Sequence, residues 1–490
     1  MKLHEICSVL EKYKCNVSFT EKEVLGITHD SRKVKEGYLF VAIKGYQFDG
    51  HDFVGMASEK GAIGIVAEKV IDCVINIPQI IVPNTRRALS LLSDYFYGYP
   101  SSKMTIVGIT GTNGKTTTSF LTKSIIESSC NEAGLIGTIS YQIGSRVIPA
   151  KQTTPESIDV QSYLSDMLNN NIKYAVIEAS SHALSQHRLD GVRFRTAVFT
   201  NLSAEHLDYH ENIKNYREEK MKLIRGLDEN AFAVLNADHN ASKYFAKNTA
   251  AQIVWYGIKD TSAHVRAEII NMDANGTKFL LISPWGKEVI NLQLIGSHNV
   301  YNALASASNG FCLGFDIETV RKGIESLNNV PGRLEKLDYG QDFHIFVDYA
   351  HTHQALQVVL EALRSITTRR VILIFGCGGD RDRKKRAKMG RVAEKYADFF
   401  WITNDNPRSE DPLNIITEIQ KGIKSNACYK IQPDRKAAIE EALFEARKGD
   451  VVVIAGKGHE HYQILKDTII PFDDREVVKR VLSGSMVSQN

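Results

Sequence analysis

Gly108-Ile-Thr-Gly-Thr-Asn-Gly-Lys-Thr-Thr117 is the stretch on which the fold of this chain turns. An apolar run at 105–109 reads as a strand, glycines break it, and Lys115 and Thr116 then open a helix over 117–128. Glycines let backbone N–H groups approach phosphate oxygens, and a helix N-terminus favours negative charge. Lys115 is suited to neutralise β- and γ-phosphates, and the Thr116 hydroxyl to ligate Mg²⁺. Gly111, Thr112, Asn113, Gly114, Lys115, Thr116 and Thr117 are therefore the expected ATP-binding set. The loop is a variant, because Ile109 stands where the usual pattern has its first glycine.

Outward from this loop the texture is strand, turn, helix. Strands are expected at 174–177, 197–200 and 232–235, with helical stretches between them, and such alternation implies a mostly parallel α/β sheet. Residues 265–294 read as local antiparallel strands turning at Pro284-Trp-Gly286. Before the loop, short strands at 38–43, 62–66 and 80–82 mix with helical patterns and end at Tyr99-Pro-Ser-Ser102, which reads as a linker. A second boundary falls near Val330-Pro-Gly332. The expected division is therefore 1–102, 103–330 and 331–490. At 490 residues, the chain is too long for one ordinary core.

Composition excludes several classes. The chain is 43% hydrophobic and 24% charged with no low-complexity tract, as in globular proteins. Its net charge is +3 with no basic tail, so nucleic-acid binding has no support. The longest apolar runs suit buried strands and fall far short of a bilayer span. Residues 1–20 carry Lys2, Glu5, Glu11, Lys12 and Lys14 without a long apolar stretch, so no secretory signal is expected and the reading is cytoplasmic. The cysteines, 7 in all, stand singly with no CxxC, which fits reduced thiols. Cys377 reads first as a small buried residue and second as a reactive thiol.

A second polar cluster follows the central strands. Glu178 ends the run at 174–177, and Thr200-Asn-Leu-Ser-Ala-Glu-His-Leu-Asp-Tyr-His210 follows the next strand. A carboxylate and an imidazole at neighbouring strand ends suit Mg²⁺ or a reacting group. Beyond 331, strands at 344–347, 371–375, 399–403 and 451–454 run into Asp348, Gly376, Asp405 and Gly456. Ligand crevices of open α/β sheets lie at such strand ends, so these loops form a further candidate surface.

Taken together, Thr110–Thr116, Glu178-Ala-Ser-Ser-His182, Asn201-Leu-Ser with His206-Leu-Asp208, Gly296-Ser-His-Asn299 with Asn302-Ala303, Gly332-Arg333 and Asp348-Tyr-Ala-His351 resemble the Mur ligase family. The resemblance runs over essentially the whole chain. Asp30-Ser-Arg32, Asp49-Gly-His51, Thr153-Thr-Pro155, Gln186-His-Arg188, Gly376–Asp382, Asp405-Asn-Pro-Arg408 and Gly456-Lys-Gly-His-Glu460 resemble the members that add the third residue of the peptidoglycan stem. The fold implied is three α/β domains. A central P-loop sheet that binds ATP is flanked by an N-terminal uridine-binding domain and a C-terminal Rossmann-like domain for the amino acid.

The resemblance implies an ATP-consuming, ADP-forming amide ligase with Mg²⁺. ATP phosphorylates the carboxylate of a UDP-muramoyl dipeptide, and the amine of a diamino acid attacks the acyl phosphate. It implies residue roles as well. Lys115, Lys220 and His206 resemble catalytic positions, and Thr116, Glu178, His206 and Lys220 resemble the metal set, Lys220 as a carbamate. From sequence alone Lys220 reads as a solvated helix residue. Asn299, Asn302, Arg333, Asp348 and His351 resemble nucleotide contacts. Ser31, Thr153, Thr154, Ser180, Gln186 and Arg188 resemble contacts to the UDP-muramoyl dipeptide. Arg381, Asp405, Asn406, Arg408, Gly456 and Glu460 resemble the amino-acid pocket.

Arg408 after Asp405-Asn-Pro407 points to meso-diaminopimelate, whose second carboxylate Arg can grip as a fork. L-Lysine ends in an ammonium, which Arg repels. The chain departs from the family pattern at His353, Gln354, Ala387 and His461, which leaves L-lysine or another amino acid as an alternative acceptor. Another amide ligase of the superfamily, of the folylpolyglutamate or dipeptide-adding type, is a second reading, against which Thr153-Thr-Pro155 and Asp405–Arg408 count. A binding protein that has lost catalysis is a third, and retention of Lys115, Glu178, His206 and Lys220 counts against it.

Overall fold

Strand Thr105–Thr110 is buried along almost its whole length and pairs in parallel on both sides, with Tyr174–Glu178 and with Thr196–Phe199. The computed structural model describes the whole chain except residues 11, 16–21, 46–47, 73–76, 425 and 488–490. It forms two compact units, one of Met1–Tyr256 with Ser308–Phe315 and one of Gly257–Ala307 with Asp316–Asn490.

The first unit holds two sheets. The N-terminal one is 5-stranded, in the order Lys14–Cys15, Gln79–Ile81, Gly64–Ala67, Tyr38–Val41, Gly26–Thr28, and only its first strand is antiparallel. The second runs Gln252–Gly257, Phe232–Asn236, Thr196–Phe199, Thr105–Thr110, Tyr174–Glu178, Ala133–Ile136, all parallel. Antiparallel strands Ser140–Ile143 and Arg146–Pro149 extend it. Helix Lys115–Ser128 begins where the loop ends and packs on the sheet through Leu121, Ile125 and Ile126. Residues 99–102 are not a free linker. Tyr99 adopts a left-handed conformation, Pro100–Lys103 forms a 3-10 turn, and the buried Ser101 hydroxyl donates to Gly191 O and accepts from Arg193 N. Those bonds satisfy backbone groups that a loop buried there would otherwise leave unpaired.

In the second unit, Val265–Asp273, Gly276–Ser283 and Gly286–Leu292 form the expected antiparallel meander. A 6-stranded sheet follows in the order Glu335–Leu337, His344–Asp348, Val451–Ala455, Val371–Phe375, Phe399–Ile402, Tyr429–Ile431, parallel after the first strand. Its central strands read as unbroken apolar runs because both faces are covered. Val371, Leu373 and Phe375 enter one core, while Ile372 and Ile374 enter the other. Among the described residues, no helix is long and apolar enough to cross a membrane.

Candidate active site

Parallel register decides what meets at the phosphate loop. Glu178 lies opposite Ile109, and Phe199 opposite Thr110, so loops 111–115, 179–180 and 200–206 leave one edge of the sheet together. Gly111 has φ +145°, and a Cβ there would stand 1.9 Å from Thr200 Oγ1, so the close approach of the two loops demands glycine. The Thr200 hydroxyl donates to Asn113 O at 2.6 Å, and Asn201 braces the same residue from its side chain. Lys115 Nζ folds back onto Gly111 O (3.0 Å) and Thr112 O (2.8 Å). The buried Thr116 hydroxyl donates to Glu178 Oε2 at 3.0 Å. Thr138 completes the hold on Glu178, its hydroxyl reaching Oε2 (2.9 Å) and its N–H reaching Oε1 (3.0 Å). Hydroxyl and carboxylate oxygens are the hard donors that Mg²⁺ takes alongside substrate phosphates, so this pair fits the ion. Among the described residues no cluster of three His, Cys, Asp or Glu side chains forms a metal cage.

Lys220 is not solvated. It lies on helix Ile213–Arg225, is 1% exposed, donates from Nζ to Gly111 O at 2.7 Å and sits 4.4 Å over the Tyr216 ring. The helix is amphipathic, and Lys220 falls on its buried face with Tyr216, Leu223 and Ile224. Burial first, and the Lys115 charge second, push the Lys220 amine well below the ordinary lysine range. His206 is exposed with φ +55°, and its ring stands 4.8 Å from that of His182. It joins an aromatic group with His182, Tyr209, His210 and Tyr216 rather than bonding Glu178. Burial, then the neighbouring imidazoles, lower His182 and His210 to about 4.

The predicted dipeptide contacts connect to the same residue, through Thr138 and through the Glu178 backbone carbonyl. Thr153 Oγ1 is 3.1 Å from Thr138 Oγ1, and Thr154 Oγ1 donates to Glu178 O at 2.5 Å while accepting from Ser180 N. Arg188 reaches Thr154 O (2.7 Å), Gln186 Oε1 (2.7 Å) and Glu156 (2.8 Å). A cavity of about 190 Å³ opens beside Gln186, lined by Lys44, Gly45, Arg86, Ser185 and Tyr209. Ser31, on the one-turn helix Ser31–Lys33, bonds Lys60 through its carbonyl and no member of this group.

In the second unit the four strand ends meet, with Asp348 opposite Ala455, Ile374 opposite Ile454 and Phe375 opposite Ile402. Asp348 is buried and accepts from Leu334 N and Ala350 N, each at 2.7 Å. Burial raises its carboxyl, and Arg333 opposes that rise. The Arg333 guanidinium lies 4.8 Å over the Tyr349 ring, which also packs on His351 and His459. Asn299 and Asn302 are buried at the start of helix Ser297–Cys312 and bond each other. Asn406 Nδ2 donates to Glu460 Oε2 at 2.9 Å, and Arg408 Nη1 donates to Gly379 O at 2.8 Å. Gly456 has φ +116°, and a Cβ there would approach Asp405 Oδ2 to 2.7 Å. Partial burial and Glu460 raise the Tyr462 phenol while Arg408 and Arg381 lower it, so these charges converge on one ring. Cys377 is buried with Sγ 3.5 Å from Met389 Sδ, and burial pushes its thiol to about 12. His461, one of the departures, bonds Asp473 at 2.7 Å.

Sequence reasoning gave no role to Thr138, His182, His210, Arg86, Lys457 or Arg386. Arg386 is fully buried between Glu410 and Glu418 and also donates to Gly378 O. A basic residue inside Lys384-Lys-Arg386 gives no local sign of that burial. Lys457 was visible only as part of Gly456–Glu460.

Comparison with known sequences matches residues 23–97 to the Mur ligase family catalytic domain, 109–309 to the Mur ligase middle domain and 332–458 to the Mur ligase glutamate ligase domain. A Bacillus cereus protein named UDP-N-acetylmuramoyl-L-alanyl-D-glutamate–2,6-diaminopimelate ligase is 44% identical over 492 aligned positions, covering 99% of each chain. A solved structure of a ligase of that name matches with TM-score 0.73 at 31% identity, covering 99% of each chain. The MurF ligase of Thermotoga maritima in complex with ADP shares the fold at TM-score 0.65 and 20% identity, covering 96% of this chain and 100% of its own.

Proposed function

The chain belongs to the Mur ligase family, and from that premise we propose that it is the ATP-dependent ligase that joins meso-diaminopimelate to UDP-N-acetylmuramoyl-L-alanyl-D-glutamate in peptidoglycan precursor synthesis. Residues 1–102 bind the UDP substrate, 103–330 bind ATP, and 331–490 bind the amino acid. The reaction draws on ATP and a nucleotide-linked sugar, which suits the cytoplasm.

One observation carries the reading: Thr116 bonds Glu178, Glu178 bonds Thr138, and Thr138 meets Thr153. The phosphate loop and the pocket assigned to the dipeptide therefore share one chain of hydrogen bonds. A carboxylate held at Thr153, Thr154, Ser180, Gln186 and Arg188 stands within reach of a γ-phosphate held at Lys115. Carboxylate oxygen attacks the γ-phosphorus, the bond to the ADP oxygen breaks, and an acyl phosphate forms. The amine nitrogen then attacks the carbonyl carbon, the tetrahedral intermediate expels phosphate, and the ammonium gives up its proton. Joining two anions requires cationic compensation, which Lys115 supplies on leaving the Gly111 and Thr112 carbonyls for the phosphates. Mg²⁺ held by Thr116 and Glu178, with His206 nearby, would offset further phosphate charge.

Lys220 is proposed to act as a carbamate. Its buried amine adds to CO₂, forming an N–C bond and releasing a proton, and the site gains an anion beside Gly111. In the second unit Arg333, Asp348 and His351, with Asn299 and Asn302, are assigned to the nucleotide, and Arg381, Asp405, Asn406, Arg408, Gly456 and Glu460 to diaminopimelate. The test is ADP release with meso-diaminopimelate and with L-lysine, each with and without the UDP-muramoyl dipeptide. Release that requires both the dipeptide and diaminopimelate is expected. Release with L-lysine at equal or greater efficiency would defeat the assignment of the acceptor.

A further inference from the structure

Lys457 is a lysine with 0% of its side chain exposed, held where the amino-acid reading places its pocket. Its Nζ bonds Glu460 Oε2 at 2.9 Å and Asn406 Oδ1 at 3.2 Å. Asn406 closes the triangle by donating from Nδ2 to the same Glu460 oxygen at 2.9 Å. Its Oδ1 also accepts from Ile464 N at 3.0 Å, and Arg408 N donates to Ile464 O at 3.2 Å. One ammonium thereby ties together the 405–408 turn, the 456–460 loop and the hairpin Tyr462–Leu465 with Thr468–Pro471. A buried amine needs such partners, since leaving it unpaired is costly.

The triangle has a directional consequence. Both of its donors converge on Glu460 Oε2, and Oε1 accepts from no described residue. One carboxylate oxygen is thus fixed and the other presented. The Asn406 amide is likewise pinned with its oxygen towards Lys457 and Ile464 N.

We propose that Lys457 is a positioning and specificity residue for the incoming amino acid: it holds Glu460 so that Oε1 receives a substrate ammonium, and its charge offsets Glu460 within the pocket. This rests on the proposed assignment of Glu460, Asn406 and Arg408 to the amino acid. With Lys457 present, Glu460 contributes little net negative charge. Without it, a bare carboxylate beside the pocket favours the substrate with greater positive charge. L-Lysine carries one carboxylate fewer than diaminopimelate and is that substrate.

The experiment uses the full-length enzyme, wild type, Lys457→Met and Glu460→Gln, with ADP release measured against meso-diaminopimelate and L-lysine. Lys457→Met is expected to raise KM for diaminopimelate about tenfold or more, as befits one charge acting across a few ångströms of protein. KM for ATP stays within twofold. The ratio of kcat/KM for diaminopimelate over L-lysine falls in Lys457→Met and rises in Glu460→Gln, because the two substitutions shift the pocket charge in opposite directions. An unchanged KM for diaminopimelate in folded Lys457→Met, or a shift of the ratio in the same direction in both variants, overturns the proposal. If Lys457→Met does not fold, Lys457→Gln keeps a donor towards Glu460 and removes the charge. A lowered ratio of kcat/KM for diaminopimelate over L-lysine there supports the proposal and an unchanged ratio overturns it. Wild-type protein that turns over neither amino acid overturns the functional reading beneath, whereas wild-type turnover with unaltered variants overturns the role of Lys457 alone.

Discussion

Replacing Arg408 with Lys tests the acceptor assignment at one side chain. The Arg408 backbone is fixed independently of its guanidinium, by a bond from its N–H to Ile464 O at 3.2 Å and by its O accepting from Lys466 N at 2.9 Å. Its φ of +52° is strained for any residue with a Cβ, and Lys bears the same strain as Arg, so the variant alters the side chain without adding backbone cost. Nη1 is committed to Gly379 O at 2.8 Å and to Asn406 O at 3.4 Å. Nε and Nη2 bond no described residue and form the edge that grips a carboxylate with two parallel bonds. An ammonium cannot reproduce that fork. Losing one bond of a charge-assisted pair, together with its geometry, costs about 2–3 kcal/mol, or roughly 30- to 150-fold in affinity. Initial-rate ADP release at saturating ATP and dipeptide should show this as a raised KM for meso-diaminopimelate, with KM for ATP unchanged. A KM within twofold of wild type would refute the reasoning, since it would mean that no carboxylate sits on that edge.

Other consequences follow from the same structure. Lys115→Ala should abolish acyl phosphate formation while the protein stays folded, and near-normal ADP production by folded variant would sink that assignment. Lys220→Ala should lose activity and regain part of it with added short-chain carboxylates, which supply the missing anion. Unchanged activity of the wild type in CO₂-free buffer, with an unmodified Lys220 by intact mass, would reject the carbamate. Burial raises the Asp94 carboxyl from 3.8 to about 6, against the pull of Arg193. Its stabilising contribution is therefore complete below about pH 4 and lost as pH rises through 6, a difference of about 2–3 kcal/mol. Asp94→Asn should flatten the fall in unfolding free energy between about pH 4 and 6.5, and an identical slope in both proteins would rule the carboxyl out as its source.

The central strands of the parallel sheets were legible because a strand covered on both faces is an apolar run, and Val371–Phe375 and Val451–Ala455 are such runs, whereas Ala133–Ile136, Gln252–Gly257 and Tyr429–Ile431 were not predicted. The phosphate loop was legible because its chemistry is local: strand, glycine and helix N-terminus follow one another within ten or so residues. The four strand ends at Asp348, Gly376, Asp405 and Gly456 were legible because parallel strands carry their following loops to one edge. That the connecting stretch at 99–102 also packs was not legible, since turn-forming residues pack as readily as they connect, and only Gly191 and Arg193 reveal that they do.

What the sequence alone determined, then, is the set of elements and the edge at which chemistry gathers, both consequences of hydrophobic period and backbone sterics acting over short distances. Tertiary structure alone decided which polar side chains are buried and what they bond. Lys220 meets Gly111 O across 109 residues of chain, Thr116 meets Glu178 across 62, and Lys457 meets Asn406 across 51. A lysine that packs inward and a lysine that faces water occupy the same kind of helical sequence, and the free energy that separates them comes from partners on other segments. Desolvation and pairing are properties of the assembled site, so the altered amine of Lys220 and the fixed oxygen of Glu460 exist only once those segments have met.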